Sequence, residues 1–147
     1  LKICDFDISY VEGDEEIRSE GTEFYRAPEL LNGKCKNPKA ADVFSAGVLL
    51  FFFKCGKLPQ TENTLYHGEN LFELLQVDNK KFWEMHCKFQ QRNPDFFQDS
   101  FKELFNGMME CNPEERWTLS QVKNSEWYNG EIYSPEELVE VMKPFYE

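Results

Sequence analysis

The stretch DVFSAGVLLFFFKCG, Asp42 to Gly56, constrains this chain more than any other. From Val43 to Phe53 it is apolar on nearly every side, yet it falls well short of the roughly 20 residues that a bilayer requires. Such a helix is stable in water only when other elements enclose it. Gly56 and Pro59 supply its stop, the first by tolerating the left-handed backbone that closes a helix, the second by refusing to continue one. The expected fold is mainly α, with helices around a buried central helix.

The enclosing helices are legible elsewhere. Residues Asn70 to Val77 and Lys80 to His86 read as two of them. A third, DSFKELFNGMMEC, repeats Phe101, Leu104, Phe105, Met108 and Met109 at spacings of three and four, with Asp99 or Ser100 as its N-cap. Two more follow, one capped by Thr118, the other with Ser134 as cap, Pro135 in the first turn and Glu137 three residues after the cap. Only the opening ICDFDISY reads as a short strand, ending at an acidic turn. With 147 residues, 41% of them hydrophobic and 16% aromatic, the chain has enough apolar mass for about one domain.

A net charge of -11 repels a phosphate backbone, which argues against nucleic acid and anionic membrane surfaces as partners. The acid is concentrated: residues 12 to 23 hold six carboxylates against Arg18, the pattern of a solvated loop. Five cysteines, at 4, 35, 55, 87 and 111, form no CxxC pair and no metal spacing with His67 or His86. They are expected as reduced thiols of a cytoplasmic protein, the histidines as packing or surface residues, and no zinc site is expected. The chain opens on Leu1 without a basic start and apolar run, so no signal peptide is expected and the sequence reads as cut from something longer.

Four ordered blocks give these pieces a family. CDFD at the start, GTEFYRAPE over residues 21–29, Asp42 thirteen residues after Glu29, and NPEER ending at Arg116 together resemble the C-terminal lobe of a eukaryotic protein kinase. The resemblance covers residues 1–128, through the WYNG ending, and is greatest to Ser/Thr kinases of the calcium/calmodulin-dependent group. Residues 129–147 form a C-terminal extension with a short helix, holding neither an EF-hand nor a basic calmodulin-binding helix.

The resemblance implies roles residue by residue. Asp5 matches the aspartate that holds the magnesium bridging the ATP phosphates, and Phe6 the hydrophobic residue whose packing reports the active or inactive arrangement. Asp7 stands where the family has glycine, a position at which backbone freedom is expected to matter; aspartate tolerates left-handed angles better than most residues. Residues 8 to 25 become the activation loop. Thr22 matches the threonine set against the catalytic aspartate, Phe24 and Tyr25 form the shelf under the substrate, and Ser19 is the candidate phosphosite, one residue nearer Gly21 than usual. Glu29 and Arg116 are expected to pair as structural residues. Asp42, at the start of the central helix, corresponds to the residue that accepts backbone hydrogen bonds from the catalytic loop.

Absent from the sequence are a Gly-rich phosphate loop, the VAIK-like lysine and the HRD segment with the catalytic base. The resemblance therefore implies a fragment of an ATP- and Mg2+-dependent protein Ser/Thr kinase acting on protein substrates, with no catalytic base in this chain and no activity by itself. Asp7 supports an alternative, a pseudokinase or scaffold acting through protein contacts. Phe52 stands where relatives that prefer arginine two residues before the target often have glutamate.

Overall fold

A computed structural model of the chain describes residues 2–11, 21–31, 33, 35–59 and 71–146. Ser19, His67, Asn70 and the acidic stretch from residue 12 to 20 lie outside the described residues. The described elements are α1 (Pro28–Leu31), α2 (Pro38–Cys55), α3 (Leu71–Val77), α4 (Asn79–Phe89), α5 (Asp99–Met108), α6 (Leu119–Asn124) and α7 (Pro135–Met142). Single 3-10 turns occupy Glu23–Tyr25, Pro94–Phe96 and Lys143–Phe145. The architecture is mainly helical, as its sequence pattern implies.

Helix α2 is the hub, packing on α5 and on the Glu23–Tyr25 turn. It starts earlier than its apolar run: the Asn37 side chain accepts from the Ala40 N–H at 3.1 Å and Pro38 fills the first position, where its missing N–H costs nothing. Asp42 therefore sits in the second turn, not at the start. At the other end Gly56 is left-handed at φ 71° and donates to the Phe52 carbonyl. Ala40, Val43, Phe44, Gly47, Val48 and Phe51 make the buried face, at helical spacing. The opposite face departs from the expectation of full enclosure, since Leu49, Phe52 and Phe53 are exposed, Phe53 at 77%.

Aromatic rings fill the core. Phe51 stacks on Phe97 with centroids 5.7 Å apart and meets Phe105 at 5.0 Å and His86 at 4.8 Å. Gly47 lets α2 and α5 approach, because a Cβ there would press within 3.1 Å of Met108 Cβ and Met109 Sδ. Gly107 leaves room for the Trp117 ring, which a Cβ would overlap. A small polar bracket ties α4 to α5: Asn79 and Asn106 exchange amide hydrogen bonds of 2.9 and 3.2 Å, and Trp83 Nε1 donates to Asn79 Oδ1 at 3.0 Å.

Caps explain where the other helices begin and end. Thr118 with Gln121, and Ser134 with Glu137, form reciprocal capping boxes. The start of α5 differs from the sequence expectation: Gln98 is its N-cap with no side-chain hydrogen bond, while the Asp99 carboxylate accepts from Lys102 Nζ at 2.8 Å. Helix α4 runs on past His86 to Phe89. It closes with Gln91 in the left-handed region at φ 51°, Arg92 N–H donating to the Cys87 carbonyl at 2.9 Å and Gln91 N–H to the Lys88 carbonyl at 3.1 Å. The expected strand at the start does not form. Residues 2–11 are irregular around a turn at Asp7–Ile8, because no described segment offers a ladder partner. No helix among the described residues is long and apolar enough to cross a membrane.

His86 is a packing residue, 4% exposed and edge-on to Phe51 and Phe82. Burial lowers its pKa from 6.5 to about 4, against the opposing effect of a hydrogen bond with the Pro59 backbone. Its Nε2 has no partner among the described residues. The folded state therefore holds the neutral ring, while the unfolded chain takes up a proton near pH 6.5. Stability from this group is complete above that pH and is lost as pH falls toward about 4, by on the order of 3 kcal/mol in total. Thermal melts should show this decline between those limits, and His86→Phe should flatten it; an unchanged slope in the variant would refute the assignment.

Candidate functional site

The site-forming segment begins where α2 meets the Glu23–Tyr25 turn. Ser45 lies on the same face of α2 as Asp42, one turn further on, and its Oγ donates to the Tyr25 carbonyl at 2.7 Å. The Ala41 carbonyl lies 3.2 Å from the same oxygen. This hydroxyl fixes the turn that carries Phe24 and Tyr25, both half-buried, against the hub. Thr22 precedes the turn, exposed, in extended conformation and without a side-chain capping bond. The sequence pattern does not single out Ser45; its one signal is a hydroxyl inside the apolar run that follows Asp42.

Thr22, Tyr25, Asp42 and Ser45 line a cavity of about 290 Å³, closed on another side by Ile8 and Tyr10. Asp42 keeps solvent access, while the cavity wall removes enough hydration to raise its carboxyl above the ordinary pKa. No described residue donates a hydrogen bond to that carboxylate. Cys35 reaches the same cavity, and burial pushes its thiol up as well. All five cysteines are free thiols.

Asp5, Phe6 and Asp7 are exposed, Phe6 at 65%. The Ser9 N–H donates to the Phe6 carbonyl at 3.0 Å and closes the turn. The left-handed residue here is Asp5, at φ 68°, whereas Asp7 lies outside that region. The backbone freedom expected to matter at Asp7 is thus used two residues earlier, by an aspartate. Among the described residues no three His, Cys, Asp or Glu side chains gather into a metal-binding group.

Glu29 and Arg116 lie together, 87 residues apart in the chain. Arg116 Nη1 donates to Glu29 Oε1 at 2.6 Å and Nη2 to Glu29 Oε2 at 2.9 Å. The remaining donors go to backbone: Nε to the Glu110 carbonyl at 2.7 Å, Nη1 to Ala40 at 2.9 Å and Nη2 to Cys111 at 3.3 Å. The guanidinium also lies 5.1 Å from the Phe44 ring centroid. With the Arg116 side chain fully buried and Glu29 nearly so, the pair fastens α1, the start of α2 and the segment after α5 to one another.

Sequence comparison places this geometry among known proteins. Residues 1–128 match the family described as protein kinase domain. CBL-interacting serine/threonine-protein kinase 8 of Arabidopsis thaliana is 32% identical over 143 residues, 95% of this chain and 29% of that relative. CBL-interacting protein kinase 11 of Oryza sativa subsp. japonica is 31% identical over 139 residues, 90% of this chain and 24% of that relative. The chain spans about a quarter of the length of the curated relatives it matches.

The fivefold bonding of Arg116 makes its removal costly. Arg116→Ala strands a nearly buried carboxylate and three carbonyls, and should destabilise the fold by on the order of 3 kcal/mol. Removing the carboxylate too, in Arg116→Ala with Glu29→Ala, should recover part of that loss. Urea unfolding of the three proteins checks this, and a midpoint unmoved by Arg116→Ala would sink it.

Proposed function

Because this chain belongs to the protein kinase family, we propose that it is the C-lobe part of an enzyme that transfers the γ-phosphoryl group of ATP to Ser or Thr hydroxyls of protein substrates. The observation that carries this reading is the cavity that gathers Thr22, Tyr25, Asp42 and Ser45, on a base fastened by Glu29 and Arg116. In this reading residues 1–128 are the lobe and 129–147 an extension. Thr22, Phe24 and Tyr25 support the substrate segment, and Asp42 accepts backbone N–H groups of a catalytic loop supplied from outside this sequence. Ser19 is the proposed phosphosite, where phosphorylation would place a doubly charged group next to Arg18 in the sequence. Five free thiols favour a reducing compartment such as the cytoplasm.

The residues of this chain do not by themselves fit magnesium and ATP. Asp5 is an exposed carboxylate that gathers no metal-binding group of three among the described residues, and the sequence has no phosphate-cradling glycine loop. Asp5 is thus proposed as one ligand of a site completed elsewhere. The alternative, a pseudokinase scaffold, rests on Asp7 in place of glycine. The backbone weakens that argument, since Asp7 does not occupy the left-handed region that would demand glycine.

Two measurements check the reading. The chain alone should give no saturable heat when titrated calorimetrically with ATP and magnesium; micromolar binding would mean that the nucleotide site has been misplaced. In a protein that also carries the phosphate loop and catalytic base, Asp5→Ala should cut turnover by about a hundredfold or more, whereas Asp7→Gly should hold or raise it, because a negative charge near the phosphates is removed. Wild type and Asp7→Gly both silent across a magnesium titration would transfer the function to the scaffold reading.

A further inference from the structure

Away from the Asp42 cavity, one face of α4 from Asn79 to Lys88, with Arg92, Pro94 and, from α5, Lys102, lines a groove of about 490 Å³. Three apolar residues contribute to its lining, the exposed Pro94 and the buried Trp83 and Cys87, Trp83 being 5% exposed. Around them stand Lys80, Lys88, Arg92 and Lys102. Four of the 16 lysines and arginines of a chain with net charge -11 thus meet in one place. Glu84 is the carboxylate in the lining, and Asp99 reaches Lys102 from the edge.

The rim is built rather than incidental. Arg92 follows the left-handed Gln91, a backbone state that side chains other than glycine adopt at a cost, and its N–H is tied to the Cys87 carbonyl. Its guanidinium rests over the Phe96 ring, 5.0 Å from the centroid. Trp83 is fixed from below through Asn79, which is locked to Asn106 of α5. A fixed wall and a held cation reduce the ordering that a ligand must impose on binding. At the edge Lys80 pairs with Glu84 at 3.7 Å, both exposed, and the half-buried Lys102 with the exposed Asp99 at 2.8 Å. Exposed pairs contribute little, so their lysines can turn to other carboxylates.

We propose that this groove binds an acidic peptide segment of a partner protein, with its carboxylates on the lysines and Arg92 and an apolar side chain against the exposed Pro94. A bare inorganic anion would gain nothing from the apolar contact at Pro94. Nucleic acid brings a dense phosphate charge against a body of net charge -11. A second copy of the chain meets the same long-range repulsion twice over. A short acidic segment senses mainly the cations within a screening length of about 8 Å.

Fluorescence anisotropy with a labelled short peptide of Glu and Leu, and its counterpart with Gln for Glu, tests the proposal on the whole chain. The Glu peptide should bind saturably, at least about tenfold more tightly than the Gln peptide, and should weaken as salt rises. Lys88→Glu with Arg92→Glu should reduce binding by about tenfold or more, while Lys36→Glu with Lys123→Glu, which removes the same charge from exposed positions outside the lining, should change it less than about twofold. Circular dichroism melts establish that each variant is folded. Equal loss in both double variants, equal affinity for the two peptides, displacement by inorganic phosphate, or uptake of the groove by a second copy in sedimentation would each overturn it.

Discussion

One buried guanidinium organises the base of this structure. Arg116 has five N–H donors and uses each of them, two on Glu29 and three on main-chain carbonyls. Its planar fork is what allows this, since a lysine at the same place would offer a point charge with three donors and leave carbonyls unmet. The bond to Ala40 fixes the first turn of α2, and the bonds to Glu110 and Cys111 fix the chain leaving α5. The angular placement of Asp42 and Ser45 on the hub is therefore set from beneath, by a residue that touches neither.

The aromatic core works on a different scale. Phe51, Phe82, Trp83, Phe97 and Phe105 supply burial without direction, so many ring arrangements would satisfy the same apolar area. Direction comes from the few polar ties threaded through it: Asn79 with Asn106, Ser45 with Tyr25, Arg116 with Glu29. Each joins elements distant in sequence, and each would leave a costly unmet group if its partner moved. These ties restrict the rings to one packing.

The helices were legible because their cores follow helical spacing and their caps follow chemistry. Thr118 and Ser134 announce their boxes in sequence, and Gly56 its left-handed close. Boundaries set by other means were not legible. Helix α2 begins at Pro38, behind an Asn-Pro start that the apolar run from Val43 outshone. Helix α4 runs past His86 because its left-handed terminator is Gln91, a residue that gives no stop signal. The strand read from Ile3, Phe6 and Ile8 rested on apolar residues alone, and a strand needs a neighbour that local composition cannot supply. Within the site, the Glu29 and Arg116 positions were readable only through the kinase resemblance, since nothing local links residues 87 apart. The role of Ser45 and the left-handed state of Asp5 required coordinates.

Asp42 shows how the parts of the site depend on one another. Its carboxyl is raised above the ordinary range because the cavity wall strips hydration from the charged form and no described residue returns a hydrogen bond. A backbone segment that laid its N–H groups against that carboxylate would restore what hydration lost, and would bring the pKa back down. The gain would be available only at the geometry that α2 dictates, because Asp42 shares its face with Ser45 and Ser45 already holds the Tyr25 turn. A segment bound there would thus be placed relative to Thr22, Phe24 and Tyr25 without touching the core, and the register would trace back through Ala40 to Arg116. Selectivity for one docked backbone can in this way arise from an unmet carboxylate above and a fully bonded guanidinium below.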